Sequence, residues 1–147
     1  MKTIGFALIF ISLICALLIF QNCSDSDGAS EKDVTERILQ SKNWEVASVM
    51  VPNNTATESD DWVNFMVSFT GTNMTASGHP SGAEVVWPSG SYTVSEDGKM
   101  ITRGDGVLMN LTSISELSFT ASFSLPEGTV IGGRIAALDG DYVFNMK

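Results

Sequence analysis

Few side chains in this sequence could carry out acid–base or nucleophilic chemistry. His79 is the only histidine, and it lies in a glycine- and serine-containing stretch that predicts a loop. Within that stretch, Gly78–Gly82 approaches the Gly-x-Ser-x-Gly pattern of a nucleophile elbow, but its serine stands one place late and no helix follows. The sequence therefore offers no candidate catalytic residue at this position.

Metal-binding and hydrolytic sites are not predicted either. A metal site combines several ligands, and the chain has neither a second histidine nor a cysteine after Cys23. The close acidic pairs Asp60–Asp61 and Asp139/Asp141 lie in predicted turns, where aspartate is expected for backbone reasons. We expect no catalytic residue, no metal and no cofactor, and we predict that the protein is not an enzyme.

Three aromatic residues are the candidates for contact with a ligand. Trp62 follows the polar run Glu58–Asp61, which predicts a loop or a helical turn at a barrel mouth, and Trp87 precedes a proline that keeps its backbone extended. Together with Tyr92, these rings could stack on a sugar or line an apolar cavity. The alternative is that they pack in the core or close the end of the barrel, because aromatic residues dominate small cores.

Two further residues are predicted to have structural roles at a barrel end. Trp44 begins the first predicted strand, and Arg134 follows two glycines at the start of the apolar run Ile135–Leu138. A half-buried arginine at that position could brace a tryptophan by a cation–π contact. The tripeptide Arg103–Asp105 has the spelling of an adhesion motif, but Gly-Asp-Gly is also typical of a tight hairpin, which we favour.

Cys23 is the residue for which the sequence predicts a covalent modification. A mostly apolar segment, Ile4–Phe20, follows Lys2, and the Ser-Asp-rich run after Cys23 is polar. This layout resembles a lipoprotein signal, in which the cysteine takes a diacylglyceryl thioether and becomes the new N-terminus. The alternative is an uncleaved signal anchor, because the apolar segment is at the short end of the membrane-spanning range.

The expected division of the chain has three parts. Residues 1–22 form a lipoprotein signal peptide, residues 23–30 the lipidated cysteine and an acidic tether, and residues 31–147 one folded domain. Both cysteines, Cys15 and Cys23, precede that domain, so its core must hold it together without a disulfide.

The charge of the chain limits its partners. The formal net charge is −9, and loss of residues 1–22 removes Lys2 alone, which leaves 7 basic and 17 acidic residues and a charge of −10. Such a balance repels phosphates, so we expect no nucleic-acid partner and no basic membrane-binding patch. The expected membrane contact is therefore the N-terminal lipid.

One helix and a series of short strands are predicted to position these residues. The helix covers Glu31–Gln40 and is capped by Ser30. After Lys42, apolar residues alternate with polar ones, which favours strands with one buried face. The predicted strands lie at or near Trp44–Met50, Phe65–Thr70, Ser91–Ser95, Met100–Arg103, Val107–Thr112, Leu117–Leu125 and Tyr142–Met146.

The predicted fold is all-β. Turn signals such as Asp97-Gly98 join neighbouring strands into a meander of about eight strands, which must close or fold over to protect its edges. We predict an up-and-down antiparallel β-barrel with one short N-terminal helix. A two-sheet β-sandwich is the alternative.

Several segments resemble those of small Bacteroidota lipoproteins with a lipocalin-like domain. They are Ser41–Trp44, Asp61–Phe65, Val67–Gly71, Val86–Tyr92, Arg103–Val107, Gly132–Arg134 and Gly140–Asn145. The resemblance covers nearly the whole domain and implies a lipocalin-like barrel with Trp44 at its closed end. The sequence differs from the Gly-x-Trp motif of true lipocalins, because Lys42 stands in place of the glycine.

The same resemblance bears on location. The acidic run after Cys23 is similar to the tether of such lipoproteins, which implies export and lipid anchoring in the outer membrane, with display at the cell surface. No settled biochemical activity comes with this resemblance.

Two functions follow as hypotheses. The first is a membrane-anchored, non-enzymatic module that binds a small apolar or glycan ligand. The alternative is a structural or interaction protein of the cell envelope with a solid core, no ligand and protein partners that the sequence does not identify. An exposed apolar patch on the outside of the sheet would favour the alternative. The first would be contradicted by an interior filled by Phe65, Phe69, Phe119, Phe123 and Phe144.

Overall fold

The computed structural model describes residues 28–53, 57–129 and 138–147. Helix α1 spans Glu31–Leu39, and a short 3₁₀ helix spans Ser59–Trp62. The strands are β1 (Trp44–Met50), β2 (Met66–Thr70), β3 (Asn73–Ser77), β4 (Gly90–Val94), β5 (Met100–Arg103), β6 (Leu108–Ile114), β7 (Phe119–Leu125) and β8 (Gly140–Met146).

The strands form a closed barrel. Each strand pairs antiparallel with the next, and β8 pairs with β1, so the two edges of the meander meet. The predicted eight-stranded up-and-down barrel with a short N-terminal helix is confirmed. The sandwich alternative is wrong, because the β1–β8 pairing joins the strands that two separate sheets would leave as edges.

The alternation within the strands explains which faces are buried. In β7, Phe119, Ala121, Phe123 and Leu125 are buried, while the residues between them are half-buried or exposed. Successive side chains of a strand point to opposite faces, so one set fills the barrel and the other faces water.

Strand β3 was not among the predicted strands. Met74 is its only buried residue, and its other side chains are short and mostly polar. One apolar residue gives no period-two pattern, so β3 is specified mainly by its five-residue register with β2.

Helix α1 lies across one end of the barrel, which we call the capped end. Ser30 caps the helix as predicted, because its hydroxyl accepts a hydrogen bond from the Asp33 N–H and the Asp33 carboxylate accepts from the Ser30 N–H. Thr35 Oγ1 donates to the Gly98 carbonyl at 3.0 Å, which ties the helix to the β4–β5 turn. Leu39 is fully buried beneath the helix.

The opposite end, which we call the loop end, carries the longer connections. The described residues of these connections are 51–53, 57–65, 78–89, 104–107, 126–129 and 138–139. Loops held by a rigid scaffold are common places for binding residues, so this end is the first candidate for a functional site.

Candidate functional site

Aromatic rings fill the half of the barrel next to the loop end. Phe144 of β8 is central, and its ring centroid lies 5.0 Å from Trp87, 5.1 Å from Trp62 and 5.2 Å from Phe65. Phe123 stacks on Phe144 at 5.8 Å with the ring planes 10° apart. Such offset and edge-to-face contacts add stability beyond the buried area alone.

The packing continues to the capped end. Trp44 meets Phe119 edge to face at 4.9 Å, and Phe69 meets Tyr92 at 5.0 Å. All five phenylalanines named in the sequence analysis are at most 5% exposed. These five side chains therefore fill the interior, and this packing argues against a ligand inside the barrel.

The structure brings Trp62 and Trp87 together at the loop end. Trp62 ends the 3₁₀ helix, Trp87 lies between β3 and β4, and both are fully buried against Phe65 and Phe144. They close this end of the barrel, as the core-packing alternative proposed. Neither ring is accessible for stacking on a sugar in this arrangement, so their contact with a ligand stays a prediction.

The indole N–H groups of Trp62 and Trp87 are unsatisfied within the described ranges. Both Nε1 atoms are buried, and no hydrogen-bond partner for either lies among residues 28–53, 57–129 and 138–147. By contrast, Trp44 Nε1 donates to the Leu39 carbonyl at 2.7 Å. A buried donor without an acceptor is rare, and it destabilises the folded protein by about 1–3 kcal/mol, so the indole N–H groups of Trp62 and Trp87 are unusual features of this barrel.

Tyr92 and Trp44 lie at the capped end, away from the loop-end tryptophans. The Gln40 side chain donates to the Tyr92 hydroxyl at 3.2 Å, and burial raises the pKa of Tyr92. The ammonium of Lys42 lies 4.4 Å from the centroid of the Trp44 ring. Lys42 thus covers the Trp44 ring by a cation–π contact.

Arg103 is a structural residue that the sequence analysis missed. Its side chain is fully buried, with its guanidinium carbon 5.4 Å from the centre of the Phe123 ring. It donates from Nη1 to the Val86 carbonyl at 2.6 Å and forms an ion pair with Asp105. The burial of Arg103 could have been predicted from the sequence, because period-two alternation from the buried Ile101 places residue 103 on the inward face of the strand.

The same contacts exclude the adhesion interpretation of Arg103–Asp105. The guanidinium is enclosed by protein and already paired, so it is not accessible to a receptor. The preference for a tight hairpin agrees with the backbone, since Gly106 has φ of 88° and its N–H donates to the Arg103 carbonyl.

An open groove of about 710 Å³ crosses the outer face of β6, β7 and β8 near the loop end. Leu108 and Val143 contribute apolar surface, and Ser122 and Ser124 form its floor between them. Met50 pairs with Val143 in the β1–β8 register and is 66% exposed, while Leu108 is 52% exposed. These three side chains, which we call the apolar patch, lie on the outer face, with Met50 beside Val143 and with the serines of β7 between Val143 and Leu108.

A hydrogen-bonded row of polar side chains borders this groove toward the capped end. Thr120 Oγ1 donates to Asn145 Oδ1 at 2.8 Å, and Asn145 Nδ2 donates to Ser48 Oγ at 2.9 Å. The row joins β7, β8 and β1 on their outer face and contains no charge. It fixes the spacing of the strands that carry the groove.

His79 has a structural contact. Its Nε2 lies 2.7 Å from the Trp87 carbonyl, and its ring packs on Phe65 at 5.2 Å. Among the described residues, no cluster of His, Cys, Asp and Glu could hold a metal ion.

Two predicted residues lie outside the described part of the chain. These are Cys23, with the signal segment before it, and Arg134. Within the described ranges, no helix is long and apolar enough to cross a membrane.

No protein-family model matches this chain, and no curated protein matches it.

Proposed function

We propose that this chain is a lipid-anchored protein of the bacterial outer membrane that acts through the outer surface of a solid barrel. It has no enzymatic activity in this proposal, and Cys23 carries the lipid. The observation that supports action through the outer surface is the filled interior, in which Phe144 is in ring contact with Trp62, Trp87 and Phe65. A barrel whose described interior is packed with aromatic side chains has its outer surface left for interactions.

The apolar patch around the outer groove is the proposed contact surface. It contains Met50, Leu108 and Val143, and Asp105 and Asp141 lie at its edge. Exposed apolar surface with a polar rim is typical of protein–protein contact sites. The proposed partner is therefore another envelope protein that offers apolar side chains.

The anchor is tested by the mass of the mature protein isolated from its native membrane. The expected result is loss of residues 1–22 and a gain of acyl mass at Cys23, which a Cys23→Ala variant does not show. A chain that keeps its N-terminus is a signal-anchored protein instead, and the lipoprotein proposal is then wrong.

The contact surface is tested by placing a photo-crosslinking amino acid at position 108 in cells. Position 75 on β3 is the matched control, because Thr75 is also exposed on a strand. We expect a discrete protein adduct from position 108 that is absent from position 75 and is lost when Val143→Lys is added. Equal labelling from both positions, or none from either, contradicts the proposed surface.

A second candidate function is binding of a small ligand at the loop end, and the two unsatisfied indole groups favour it. An uncharged apolar molecule with a hydrogen-bond acceptor would satisfy Trp62 Nε1 and Trp87 Nε1 if the rings moved apart. The test is mass spectrometry of organic extracts from protein purified out of its own envelope. A stoichiometric small molecule that is lost in Trp87→Phe supports it, and clean extracts together with an intact fold reject it.

A further inference from the structure

The tether joins the barrel at the capped end. Residues 24–30 lead from Cys23 to Ser30, which caps the first turn of α1. A chain of that length reaches about 25 Å at most. A lipid at Cys23 therefore keeps the start of α1 near the bilayer, but the tether alone leaves the direction of the barrel open.

The charges of the barrel are unevenly distributed between its two ends. In the described residues, every Lys and Arg except the buried Arg103 lies in α1 or beside a strand end on the capped side: Lys32, Arg37, Lys42, Lys99 and Lys147. The capped end also carries the acidic residues Glu31, Asp33, Glu36, Glu45, Glu96, Asp97 and Glu116. Its charge is thus mixed, with five basic and seven acidic side chains and a net charge of −2.

The loop end is strongly acidic. Its acidic residues are Glu58, Asp60, Asp61, Glu84, Asp105, Glu127, Asp139 and Asp141. The one basic side chain described there, Arg103, is fully buried and paired with Asp105. An anionic bilayer surface repels this end far more than the capped end.

The capped end also carries an exposed apolar tip. Leu117 lies in the turn between β6 and β7 and is 79% exposed. The Lys42 ammonium donates to its backbone carbonyl at 3.3 Å, so a cation lies directly beside the leucine. An apolar side chain next to lysine suits the boundary between lipid headgroups and acyl chains.

We propose that the capped end is a membrane-facing surface, with Leu117 in contact with the lipid headgroup region, and that the acidic loop end points away from the bilayer. The inference rests on the proposed lipid anchor and deepens it. The orientation places the outer groove, near the loop end, where a partner from the aqueous side can reach it. The ligand of the capped end is the phospholipid surface itself.

The test compares one probe at each end of the lipidated protein. Acylation consumes the thiol of Cys23, and Cys15 leaves with the signal peptide, so Leu117→Cys and Val63→Cys each provide a single reactive thiol. Val63 is the matched control, because it lies in the connection between β1 and β2, on a different connection from Leu117, and is 72% exposed. A fluorophore on each cysteine is quenched by nitroxide-headgroup lipids in vesicles of zwitterionic and anionic phospholipid.

We expect several-fold stronger quenching at position 117 than at position 63. The difference should decrease at high salt and in the double variant Arg37→Glu/Lys99→Glu, both of whose side chains are exposed. Circular dichroism of that variant establishes that the barrel is still folded. Equal quenching at both positions, or stronger quenching at position 63, overturns the orientation.

A second form of the protein separates this inference from the anchor. In it, a histidine tag replaces residues 1–22, Cys23→Ser removes the thiol, and nickel-chelating lipid holds the chain. If the native chain carries no acyl group while this form still shows quenching at position 117, the anchor proposal is wrong and the orientation is right. If the native chain is acylated and neither form shows the difference, the orientation alone is wrong.

Discussion

Arg103 and Asp105 form a two-point ion pair at the loop end of the barrel. Arg103 Nε donates to Asp105 Oδ1 at 3.1 Å, and Nη2 donates to Oδ2 of the same carboxylate. The arginine side chain is fully buried, whereas that of Asp105 is 39% exposed. Nη1 also donates to the Val86 carbonyl, so one guanidinium joins the β5–β6 turn to the segment that carries Trp87.

Asp105→Ala should therefore lower the free energy of unfolding by about 2 kcal/mol, because it leaves a buried guanidinium without its counter-ion. This value is smaller than for a fully buried pair, because water screens the partly exposed carboxylate. Chemical denaturation measures the change. Glu127→Ala is the matched control, since Glu127 is an exposed loop-end carboxylate, and it should change stability by less than about 0.5 kcal/mol. Equal effects of the two substitutions would contradict the role of the pair.

The ion pair also predicts a dependence of stability on acid. Burial by itself raises the pKa of Asp105, but the hydrogen bond and charge of Arg103 outweigh it and hold the pKa below the usual 3.8. A lowered folded-state pKa stabilises the protein above the unfolded-state value, and this contribution is lost as pH falls through the folded-state value. Between pH 5 and 2 the free energy of unfolding should fall less for Asp105→Asn than for the wild type, as measured by urea titration at each pH.

The two tyrosines predict a loss of stability at alkaline pH. Burial raises the pKa of Tyr142 to about 12, and burial also raises that of Tyr92. Because the folded state disfavours the phenolate, stability is full below pH 10 and declines as pH rises toward 12. Phenolate absorbance of the folded protein should therefore rise well above pH 10. In 6 M guanidinium the rise should be centred near the ordinary value, about 10.

The indole N–H groups of Trp44 and Trp62 have different environments, so replacing each tryptophan by phenylalanine should change stability by different amounts. Trp44→Phe removes ring volume and the hydrogen bond to Leu39, whereas Trp62→Phe removes similar volume together with an unsatisfied donor. We expect Trp44→Phe to be more destabilising by about 1 kcal/mol. Thermal and denaturant unfolding of both variants measures this difference. A larger loss for Trp62→Phe would mean that its N–H has an acceptor, which supports the ligand-binding candidate.

Alanine substitutions at Gly98 and Gly71 distinguish the effect of a steric clash on stability from the effect of backbone strain. Both have positive φ, 66° and 56°, so alanine at either position is strained by the backbone. At Gly98 an added Cβ would lie 2.6 Å from Thr35 Oγ1 and 2.7 Å from the Glu31 carbonyl oxygen, while at Gly71 nothing lies within 4 Å. Gly98→Ala should thus destabilise more than Gly71→Ala and increase amide exchange in α1. Equal effects would show that the helix is not held closely against the β4–β5 turn.

Much of the fold could be predicted from local sequence. The alternation from Phe119 to Leu125 specified β7, and Ser30 with Asp33 specified the start of α1. Strand β3 could not be predicted, because Met74 is its only buried side chain. Its strand conformation depends on pairing with β2, which is a non-local interaction.

The candidate site was predictable only in part. Trp62, Trp87 and Tyr92 were identified as candidates for ligand contact, but their sequence pattern fitted an exposed ring as well as a buried one. Arg103 was placed at the end of a predicted strand without a role in the core, although its inward register and the nearby Asp105 would have indicated a buried ion pair. The outer groove was not predicted, since its residues come from different strands and share no local pattern.

By itself, the sequence determined an antiparallel meander with one helix and the buried face of every strand except β3, because hydrophobic alternation and turn residues act between neighbours in the chain. Only the tertiary structure decided that the rings fill the interior. Trp62, Trp87 and Phe144 come from three distant segments, and barrel closure sets how much space remains between them. The antiparallel order of the strands places successive connections at opposite ends and so separates the acidic end from the mixed one. Closure then gathers the connections of each end around one ring, because the first and last strands become neighbours only when β8 pairs with β1.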